Sequence, residues 1–279
     1  MLRHANAYHE RLRFEVLFVI LRFMKKQLKI ATWNIGVANT INSDKMFDYD
    51  HEDLEYFADI LKPLGLDVIC LQESHSNEKR VLSQLLAKML DMPFVFDSPR
   101  SPSHINKSYQ LADAIISKYP IENTQHIRLP LPQFELYFPD GKKARRFDTY
   151  LQIANIQGIS FANTHLQPIH IFGYSWSEGE GQKLAFETES VFLSNLSTKP
   201  LIFSGDFNDP NLQINFSRLL NNFNLTPALD NQPTDVKGNK MDYILHSPEF
   251  RVKKSEIIKT DKSDHYLGLA VLEFQDKKF

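Results

Sequence analysis

The sequence contains a single cysteine, Cys70, among 279 residues. An intramolecular disulfide is therefore excluded, which is typical of proteins from a reducing compartment. On this ground we expect a cytoplasmic location, although secretion and membrane attachment stay open. Cys70 lies in the apolar run DVICLQ, so we interpret it as a thiol of the core rather than a reactive group.

The chain also lacks an excess of charge of one sign. It carries 32 basic and 34 acidic residues, for a formal net charge of −2. Binding to long duplex nucleic acid favours a strongly basic surface, and the overall charge does not indicate one. With 42% hydrophobic and 24% charged residues, the composition is that of an ordinary globular protein rather than a disordered or fibrous one.

Long hydrophobic runs are missing as well. The run FEVLFVIL at residues 14–21 contains Glu15 and is followed by Arg22. It is far shorter than the roughly 20 apolar residues that span a bilayer, and no small-residue cleavage site of a signal peptide follows it. Because Met24 resembles an ordinary start before a strand, we expect residues 1–26 to be an N-terminal extension or a mis-assigned start; a short amphipathic membrane contact is the alternative.

From residue 27 onward the chain has no repeat, low-complexity tract or linker, which predicts one domain over residues 27–279. Short apolar runs alternate with segments of helical periodicity, and NIQG at 155–158 joins two strands tightly. This pattern predicts a layered α/β sandwich. The predicted strands are 28–33, 67–72, 112–117, 149–156, 158–164, 200–205, 241–246 and 266–274; the predicted helices are 51–62, 77–90, about 181–195 and about 211–222.

Polar side chains are concentrated where these predicted strands begin or end. Strand interiors cannot carry such groups unpaired, whereas strand ends can present them to a shared cleft. Asp206 and Asn208 are two residues apart, so in an extended chain they face the same way. The full set of polar residues at strand ends is Asn34, Glu73, His165, Asp206, Asn208, Asp242, Asp264 and His265.

Part of this set has the character of a site for a hard cation. The carboxylate of Glu73, with the amide oxygen of Asn34 and the carboxylate of Asp264, suits Mg²⁺, which keeps waters that a phosphate can replace. The sequence has no Cys/His cluster that would favour zinc. Such a cation would neutralise charge that develops on a phosphoryl or leaving oxygen.

The remaining residues supply acid–base groups. His165 and His265 can donate hydrogen bonds to phosphate oxygens or move protons, and Asp242 can orient His265 by accepting from its other ring nitrogen. Asp206 can align or activate an attacking water, with Asn208 fixing the water or the phosphate. Each residue alone is more commonly a turn or loop residue, so the interpretation depends on the combination.

Six segments in order, TWNIG, LQES, NTHL, SGDFND, MDYIL and SDHYL, resemble the motif series of the endonuclease/exonuclease/phosphatase superfamily. Its fold is that of pancreatic deoxyribonuclease. ADAIISKYPI at 112–121 resembles a further motif of this family, with Ala112 where glycine is usual. The resemblance covers about residues 28–275, nearly the whole predicted domain.

The resemblance implies a fold, a cofactor and roles for individual residues. The fold is a four-layer α/β/β/α sandwich of two mixed, mostly antiparallel sheets flanked by helices. Glu73 matches the principal Mg²⁺ ligand, with Mn²⁺ as a possible substitute, and Asn34 and Asp264 match neighbouring metal-side positions. His165 matches the histidine of the branch that has NTH, where it contacts the phosphate and acts as an acid.

The roles of the other residues also follow from the resemblance. Asp206 and Asn208 match the pair that aligns the nucleophilic water, and His265 matches the histidine on the scissile phosphate, which pairs with Asp242. A catalytically inactive binding module would be expected to lack Glu73, Asp206 or His265, and all three are present. We therefore expect a metal-dependent phosphoric ester hydrolase, acting as a monomer with no protein partner.

Departures from the family's patterns bear on the substrate. Gly36 follows Ile35 directly, and NTHL has histidine where the apurinic-site endonucleases have a tyrosine-bearing segment, which speaks against repair of abasic DNA. A membrane-attached lipid phosphodiesterase like the sphingomyelinases, a nuclease or tyrosyl-DNA phosphodiesterase, and an inositol phosphatase stay open, as do the number of metal ions and endo- or exo-action. Arg146 and the insert at 169–181 are candidate substrate contacts.

Overall fold

The computed structural model describes residues 26–42, 44, 47–196 and 200–275. The predicted extension at 1–26 lies outside this part of the chain, apart from Lys26. The strands are β1 (Gln27–Asn34), β2 (Asn39–Ile41), β3 (Phe47–Glu52), β4 (Val68–Ser76), β5 (Phe94–Pro102), β6 (Gln110–Ser117), β7 (Ile121–Arg128), β8 (Tyr150–Ile156), β9 (Ile159–His165), β10 (Leu201–Asp206), β11 (Thr226–Pro227), β12 (Asp242–His246), β13 (Phe250–Ile258) and β14 (Leu267–Phe274).

The helices are interspersed with these strands along the chain and are not grouped at one end of it. They are α1 (Leu54–Leu61), α2 (Leu82–Met89), α3 (Gly179–Asn195), α4 (Leu212–Asn215) and α5 (Ser217–Phe223). Short 3-10 turns occur at Gly36–Ala38, Lys62–Leu64 and Ile169–Phe172. Over the described residues, no helix is both long enough and apolar enough to cross a membrane.

Two six-stranded mixed sheets account for most strands in the described part of the chain. The first has the order β13-β14-β1-β4-β6-β5 and the second the order β11-β12-β10-β9-β8-β7. In the first sheet only β1 and β4 run parallel, and in the second only β9 and β10 do. Each sheet therefore has one parallel pair at its centre, with antiparallel strands on both sides.

The two sheets pack face to face, and helices cover both outer surfaces. Apolar side chains of both sheets fill the space between them, among them Ile30, Phe161 and Ile202. Phe57 of α1 and Leu86 of α2 pack on the outer face of the first sheet. Residues of α3 and α5 cover the outer face of the second. The predicted four-layer sandwich is confirmed.

The central strands are buried on both faces because both faces are covered. All of β9 is buried, and β1 is buried from Ile30 to Asn34, as expected of parallel strands in the middle of a layered fold. Between β8 and β9 the chain turns at Gln157 and Gly158, which both have positive φ. The tight connection predicted at NIQG is therefore present.

The carboxyl ends of the four parallel strands meet at one edge of the sandwich. In the first sheet Asn34 is paired in register with Gln72, and in the second Asp206 is paired with His165. Across the interface β1 packs on β10 and β4 on β9. Residues that follow these four strands are therefore brought together from both sheets.

Three predicted helices differ at their boundaries. The helix predicted at 51–62 begins at Leu54, because Phe47–Glu52 forms a strand. The helix predicted at 77–90 begins at Leu82, since the Asn77 side chain accepts hydrogen bonds from the backbone of Lys79 and Arg80 and holds a turn. The helix predicted at 211–222 is two helices that meet at Phe216.

Candidate active site

Glu73 is directed into the cleft by an irregularity in β4. The register between β4 and β6 shifts between Leu71 and Ser74, and Glu73 has a φ of 53°. A left-handed conformation is strained for a residue with a side chain, and such strain is concentrated at functional sites. The bulge leaves the carboxylate of Glu73 partly exposed, at 23%, within an otherwise buried strand that continues to Ser76 rather than ending at the predicted residue 72.

The residue before Asp206 is Gly205, and the close packing of two strands requires a glycine there. Its φ is 152°, and a Cβ at this position would lie 2.1 Å from the carbonyl oxygen of Thr164 on the neighbouring strand. Only glycine permits this close approach of β9 and β10. Asp206 follows as the last residue of β10 and is 1% exposed.

Asn208 is fixed by three hydrogen bonds. Its backbone N–H donates to Asp206 Oδ1 at 2.9 Å, and its Nδ2 donates to the Leu166 carbonyl oxygen at 2.9 Å. The indole of Trp176 donates to the carbonyl oxygen of Asn208 at 3.0 Å. This turn, with a φ of 49° at Asn208, holds the amide at the edge of the cleft.

Asn34 links the carboxylates of the two sheets. Its Nδ2 donates to Asp206 Oδ2 at 3.1 Å and to Glu73 Oε1 at 3.3 Å. Its Oδ1 accepts from the backbone N–H of Gly36 at 3.1 Å, and this donor fixes which way the amide is oriented. The structure thus presents the amide nitrogen to Glu73 and Asp206, whereas the sequence predicted a cation-binding amide oxygen.

His265 forms a hydrogen-bonded pair with Asp242. The distance from His265 Nδ1 to Asp242 Oδ2 is 2.9 Å, and His265 Nε2 lies 3.8 Å from Asp206 Oδ2. Burial disfavours the charged imidazolium, but the carboxylates of Asp242, Asp206 and Asp264 together outweigh it and raise the pKa of His265 well above its usual value. His265 therefore carries a positive charge at neutral pH.

His165 has the opposite electrostatic environment. Arg100 Nη2 lies 2.8 Å from His165 Nδ1, and His165 Nε2 lies 3.5 Å from Asp206 Oδ2 and 3.8 Å from Glu73 Oε1. Burial, and then the positive charges of Arg100 and His265, lower the pKa of His165 well below its usual value. Since the guanidinium can only donate, Nδ1 accepts and Nε2–H faces the carboxylates. His165 is thus a neutral hydrogen-bond donor.

Arg100 and Asp113 are functional-site residues that the sequence predictions missed. Arg100 Nε lies 3.4 Å from Asp113 Oδ1, and the two side chains are 3% and 2% exposed. Burial raises the pKa of Asp113 to about 6 even though Arg100 opposes the shift. Asp113 belongs to the ADAIIS motif, which was available as a signal; Arg100 lies in the polar run SPRSP, which has no strand-like pattern.

The acidic side chains of the site are strongly desolvated. Burial, followed by the charge of Asp242, raises the pKa of Asp206 to about 8, and burial raises the pKa of Asp264 to about 6. Asp264 Oδ1 has no hydrogen-bond partner among the described residues. Buried carboxylates held close together without enough positive charge are suited to binding a cation.

Two groups of side chains could hold that cation. In one, ligand atoms of Asp206, Asp242 and His265 lie within 4.8 Å of one another. Here the short distances reflect the hydrogen bond between His265 and Asp242, and a charged imidazolium is not a metal ligand. The other consists of Glu73 and Asp264 from the predicted set, in which Asp264 has an unpaired oxygen, whereas Asn34 presents its nitrogen to this group.

A cleft of about 150 Å³ collects most of the predicted residues. Asp242 lies beneath it, fully buried against His265. Arg146 does not line this cleft; its guanidinium donates to the Phe134 carbonyl oxygen at 2.9 Å and pairs with Glu135 at 3.3 Å. The predicted residues that line the cleft are Asn34, Glu73, His165, Asp206, Asn208, Asp264 and His265.

Further walls of the cleft come from two loops. His170 and Ile171 belong to the insert predicted as a substrate contact, whereas Pro168, Asp235 and Lys237 were not predicted. The loop that carries Asp235 and Lys237 is attached to the segment that carries Asp264 and His265. Val236 N donates to the Asp264 carbonyl oxygen and Tyr266 N to the Thr234 carbonyl oxygen.

Solved structures with the same fold share little sequence identity with the chain. An endonuclease/exonuclease/phosphatase from Beutenbergia cavernae has a TM-score of 0.69 at 17% identity, over 90% of this chain and 72% of that one. The human Nocturnin catalytic domain with bound sulfate gives 0.61 at 18%, over 90% and 96%. The mannosyl-6-phosphatase Bt3783 of Bacteroides thetaiotaomicron gives 0.57 at 17%, over 88% and 100%.

Sequence comparison gives the family directly. No curated protein matches the chain. The model of the Endonuclease/Exonuclease/phosphatase family matches residues 31–265, which span the site from the end of β1 to His265. The chain belongs to the Endonuclease/Exonuclease/phosphatase family and is an enzyme of the phosphoric ester hydrolase class.

Proposed function

We propose that this enzyme is a Mg²⁺-dependent phosphodiesterase or phosphatase that hydrolyses a phosphate ester by direct in-line attack of water. We further place it in the branch of the family that has the NTH histidine, here His165. The observation that carries the proposal is the convergence of Glu73, Asp206 and the His265–Asp242 pair at one edge of the sandwich. Carboxylates and histidines in such proximity are typical of hydrolytic phosphoryl-transfer sites.

The residues present fit a divalent cation. Glu73 is partly exposed, and the unpaired oxygen of Asp264 lies in a cluster of negative groups. We assign the cation to Glu73 and Asp264, and Asn34 orients Glu73 by donating from its Nδ2. When bound, Mg²⁺ or Mn²⁺ supplies positive charge that stabilises the negative charge on the phosphoryl oxygens.

The protein's own groups then divide the proton transfers. In its ionised form Asp206 is the base for the attacking water, and Asn208, whose backbone N–H donates to Asp206, helps to position that water. The water oxygen forms a bond to phosphorus, and the bond to the leaving oxygen breaks. The imidazolium of His265 is the proton donor to that leaving oxygen, while the Nε2–H of His165 donates a hydrogen bond to a phosphate oxygen.

The structural relatives do not single out a substrate. One is a mannosyl-6-phosphatase, and another, Nocturnin, was solved with a sulfate anion. Because these proteins share the fold at under 20% identity, fold similarity supports the reaction class and not the ester. A nuclease or tyrosyl-DNA phosphodiesterase-like activity and a lipid phosphodiesterase activity are the two alternatives, and turnover of single-stranded DNA, tyrosyl-linked DNA and sphingomyelin by one enzyme preparation separates them.

Hydrolysis of bis(p-nitrophenyl) phosphate tests whether turnover requires a divalent cation and whether Glu73 binds it. Turnover should require Mg²⁺ or Mn²⁺ and be lost in excess chelator. Glu73→Gln preserves the shape of the side chain but removes its charge, so we expect well over tenfold lower turnover and weaker Mg²⁺ binding by calorimetry. Glu180→Gln on the exposed surface of α3 is the matched control. Full turnover in chelator would refute the assignment.

Substitutions at Asp206 and Asn208 test whether these residues activate and position the attacking water. Asp206→Asn should lower kcat by roughly 10²-fold or more, because the base is lost while the shape is kept. Asn208→Ala should lower kcat by less than Asp206→Asn. A purely structural pair predicts a lower melting temperature with near-normal kcat, so both quantities are measured on both variants.

A further inference from the structure

The bulge that carries Glu73 places two residues of β4 opposite one residue of β6. Leu71 of β4 and Ala114 of β6 are the last pair in register before the bulge. Beyond this pair, Gln72 and Glu73 lie opposite Asp113 alone. A bulge interrupts the backbone hydrogen bonds between two strands, and interrupted groups that are buried need other partners. The conformation of Glu73 therefore depends on what binds the backbone beside it.

Side chains from the second sheet bind the carbonyl groups at this bulge. Asn163 Nδ2 on β9 donates to the Leu71 carbonyl oxygen at 3.0 Å and to the Ala114 carbonyl oxygen at 3.3 Å. Gln152 Nε2 on β8 donates to the Asp113 carbonyl oxygen at 3.1 Å. Three carbonyl groups of the first sheet thus accept hydrogen bonds from amides of the second.

Asn163 is held in one orientation by two further amides. Its Nδ2 also donates to Gln152 Oε1 at 2.8 Å, and its Oδ1 accepts from Gln72 Nε2 at 2.7 Å. All three side chains are fully buried. Turning the Asn163 amide over would bring its oxygen against three acceptors, so the network keeps its nitrogen on the bulge.

The position of these hydrogen bonds separates Asn163 from an amide that only joins the two sheets. Gln152 also donates to the Phe96 carbonyl oxygen on β5, whereas both backbone acceptors of Asn163 flank the bulge. An amide that only joins the sheets is replaceable by any group that fills its space. An amide that holds the bulge is not, because the direction of the Glu73 side chain follows from the backbone beside it.

We infer that Asn163 is a positioning residue for the cation. By holding the bulge of β4, it keeps Glu73 in the left-handed conformation, with a φ of 53°, that directs the carboxylate into the cleft. The inference rests on the proposed function, in which Glu73 binds Mg²⁺. Replacing a residue that orients a metal ligand typically weakens metal binding by about 10–100-fold.

Calorimetric titration of Mg²⁺ into chelator-treated enzyme tests the inference without catalysis. Asn163→Leu fills a similar space but has no donor, so the Kd for Mg²⁺ should rise at least about tenfold. Phe161→Leu is the matched control, because Phe161 is also fully buried between the sheets and lies two residues earlier on β9. Phe161→Leu should lower the melting temperature and leave the Kd unchanged.

Hydrogen exchange gives a second readout, which does not depend on Mg²⁺. In Asn163→Leu, the amides of residues 72–76 should exchange at least several-fold faster than in wild type, and those of residues 242–246 should change less. If Asn163→Leu does not fold, Gln72→Leu/Gln152→Leu/Asn163→Leu takes its place, since replacing the whole network leaves no side-chain amide unpaired. Its Kd and its exchange should change in the same direction.

The outcomes separate this inference from the proposed function. An unchanged Kd in the Asn163 variant, or an equal rise in Asn163→Leu and Phe161→Leu, would overturn the inference. If wild type itself binds no Mg²⁺, the cation assignment of the proposed function fails, and hydrogen exchange decides the role of Asn163. Faster exchange confined to residues 72–76 would keep Asn163 as the residue that holds the bulge, and unchanged exchange there would remove that role.

Discussion

At the scale of single residues, the site contains two histidines with opposite charge states. His265 faces three carboxylates and is charged, whereas His165 faces Arg100 and is neutral. Environments that push two pKa values apart are the usual way in which a site separates the donor of a proton from the donor of a hydrogen bond. Burial together with Arg100 keeps His165 neutral, and the carboxylates led by Asp242 keep His265 charged, although neither Arg100 nor Asp242 lines the cleft.

Asp242→Asn tests the charge state of His265. The change keeps the shape but removes a charge that raises the pKa of His265, so kcat should fall about 10–100-fold. Because the charged form is the proton donor, kcat of wild type should decline as pH rises through this pKa. The variant should show that decline at lower pH.

The control for this variant is Asp97→Asn. Asp97 is a partly buried carboxylate on β5 of the first sheet, away from the cleft. It accepts a hydrogen bond from Ser83 of α2. Asp97→Asn should change the melting temperature without a comparable loss of kcat. A wild-type pH profile in Asp242→Asn would show that the pairing has no role in turnover.

Arg100→Met tests the orientation of His165. The variant loses the donor to Nδ1, so kcat should fall while KM changes little. It also leaves Asp113 buried without its partner, which destabilises by roughly 3–5 kcal/mol. Adding Asp113→Asn should recover much of the melting temperature but not kcat. Recovery of both quantities together would reduce Arg100 to a structural role.

At the scale of secondary-structure elements, the fit between β9 and β10 depends on Gly205. Gly205→Ala would place a methyl group 2.1 Å from a backbone oxygen, which cannot move without separating two central strands. We expect a loss of at least about 3 kcal/mol in the free energy of unfolding, measured by urea denaturation. Gly141→Ala, at a φ of 81° with open space around it, should lose only about 1 kcal/mol. Similar losses for both variants would contradict this account.

The strands also show how far the fold could be predicted from the sequence. Central strands were predictable because their apolar runs are continuous. The edge strands β5, β7 and β13 were missed: β7 is exposed along most of its length, β13 carries a run of lysines, and β5 contains two prolines. An edge strand needs no apolar pattern, since its pairing to a neighbour decides its conformation.

For the site, the sequence could predict the residues that follow central strands but not those that support them. Asn34 and Asp206 end β1 and β10, and Glu73 lies at the bulge of β4; all three belong to recognisable motifs. Arg100 reaches His165 from a strand whose sequence carries no strand signal, so its contact depends on tertiary structure alone. Arg146 was chosen for its position before a strand, and its hydrogen bond to Phe134 turns it away from the cleft.

At the scale of the whole molecule, the acidic site reduces stability. Asp264 has a pKa raised to about 6, so its ionised form is disfavoured in the folded protein. The folded state then binds more protons than the unfolded state between about pH 4 and 6, and stability falls as pH rises through that range. Without a cation, the disadvantage at pH 7 is roughly 3 kcal/mol.

Asp264→Asn should therefore raise the melting temperature in EDTA at pH 7 by about 5 °C. The gain should vanish below about pH 4, where the carboxyl is protonated in both states. Adding Mg²⁺ should stabilise wild type more than the variant, because the cation compensates the carboxylate. A lower melting temperature for the variant in EDTA at pH 7 would contradict this prediction.

The order in which the chain is synthesised has a consequence for when activity begins. Strand β1 pairs with β14, and the two are separated by more than 200 residues, with the entire second sheet made in between. Asp264 and His265 directly precede β14, so a ribosome must translate almost all of the described residues before the proton donor exists. We expect nascent chains stalled before Asp264 to be inactive towards phosphate esters, and measurable hydrolysis by such stalled complexes would contradict this. Synthesis itself thus keeps the hydrolase inactive until nearly all of the described residues have been made.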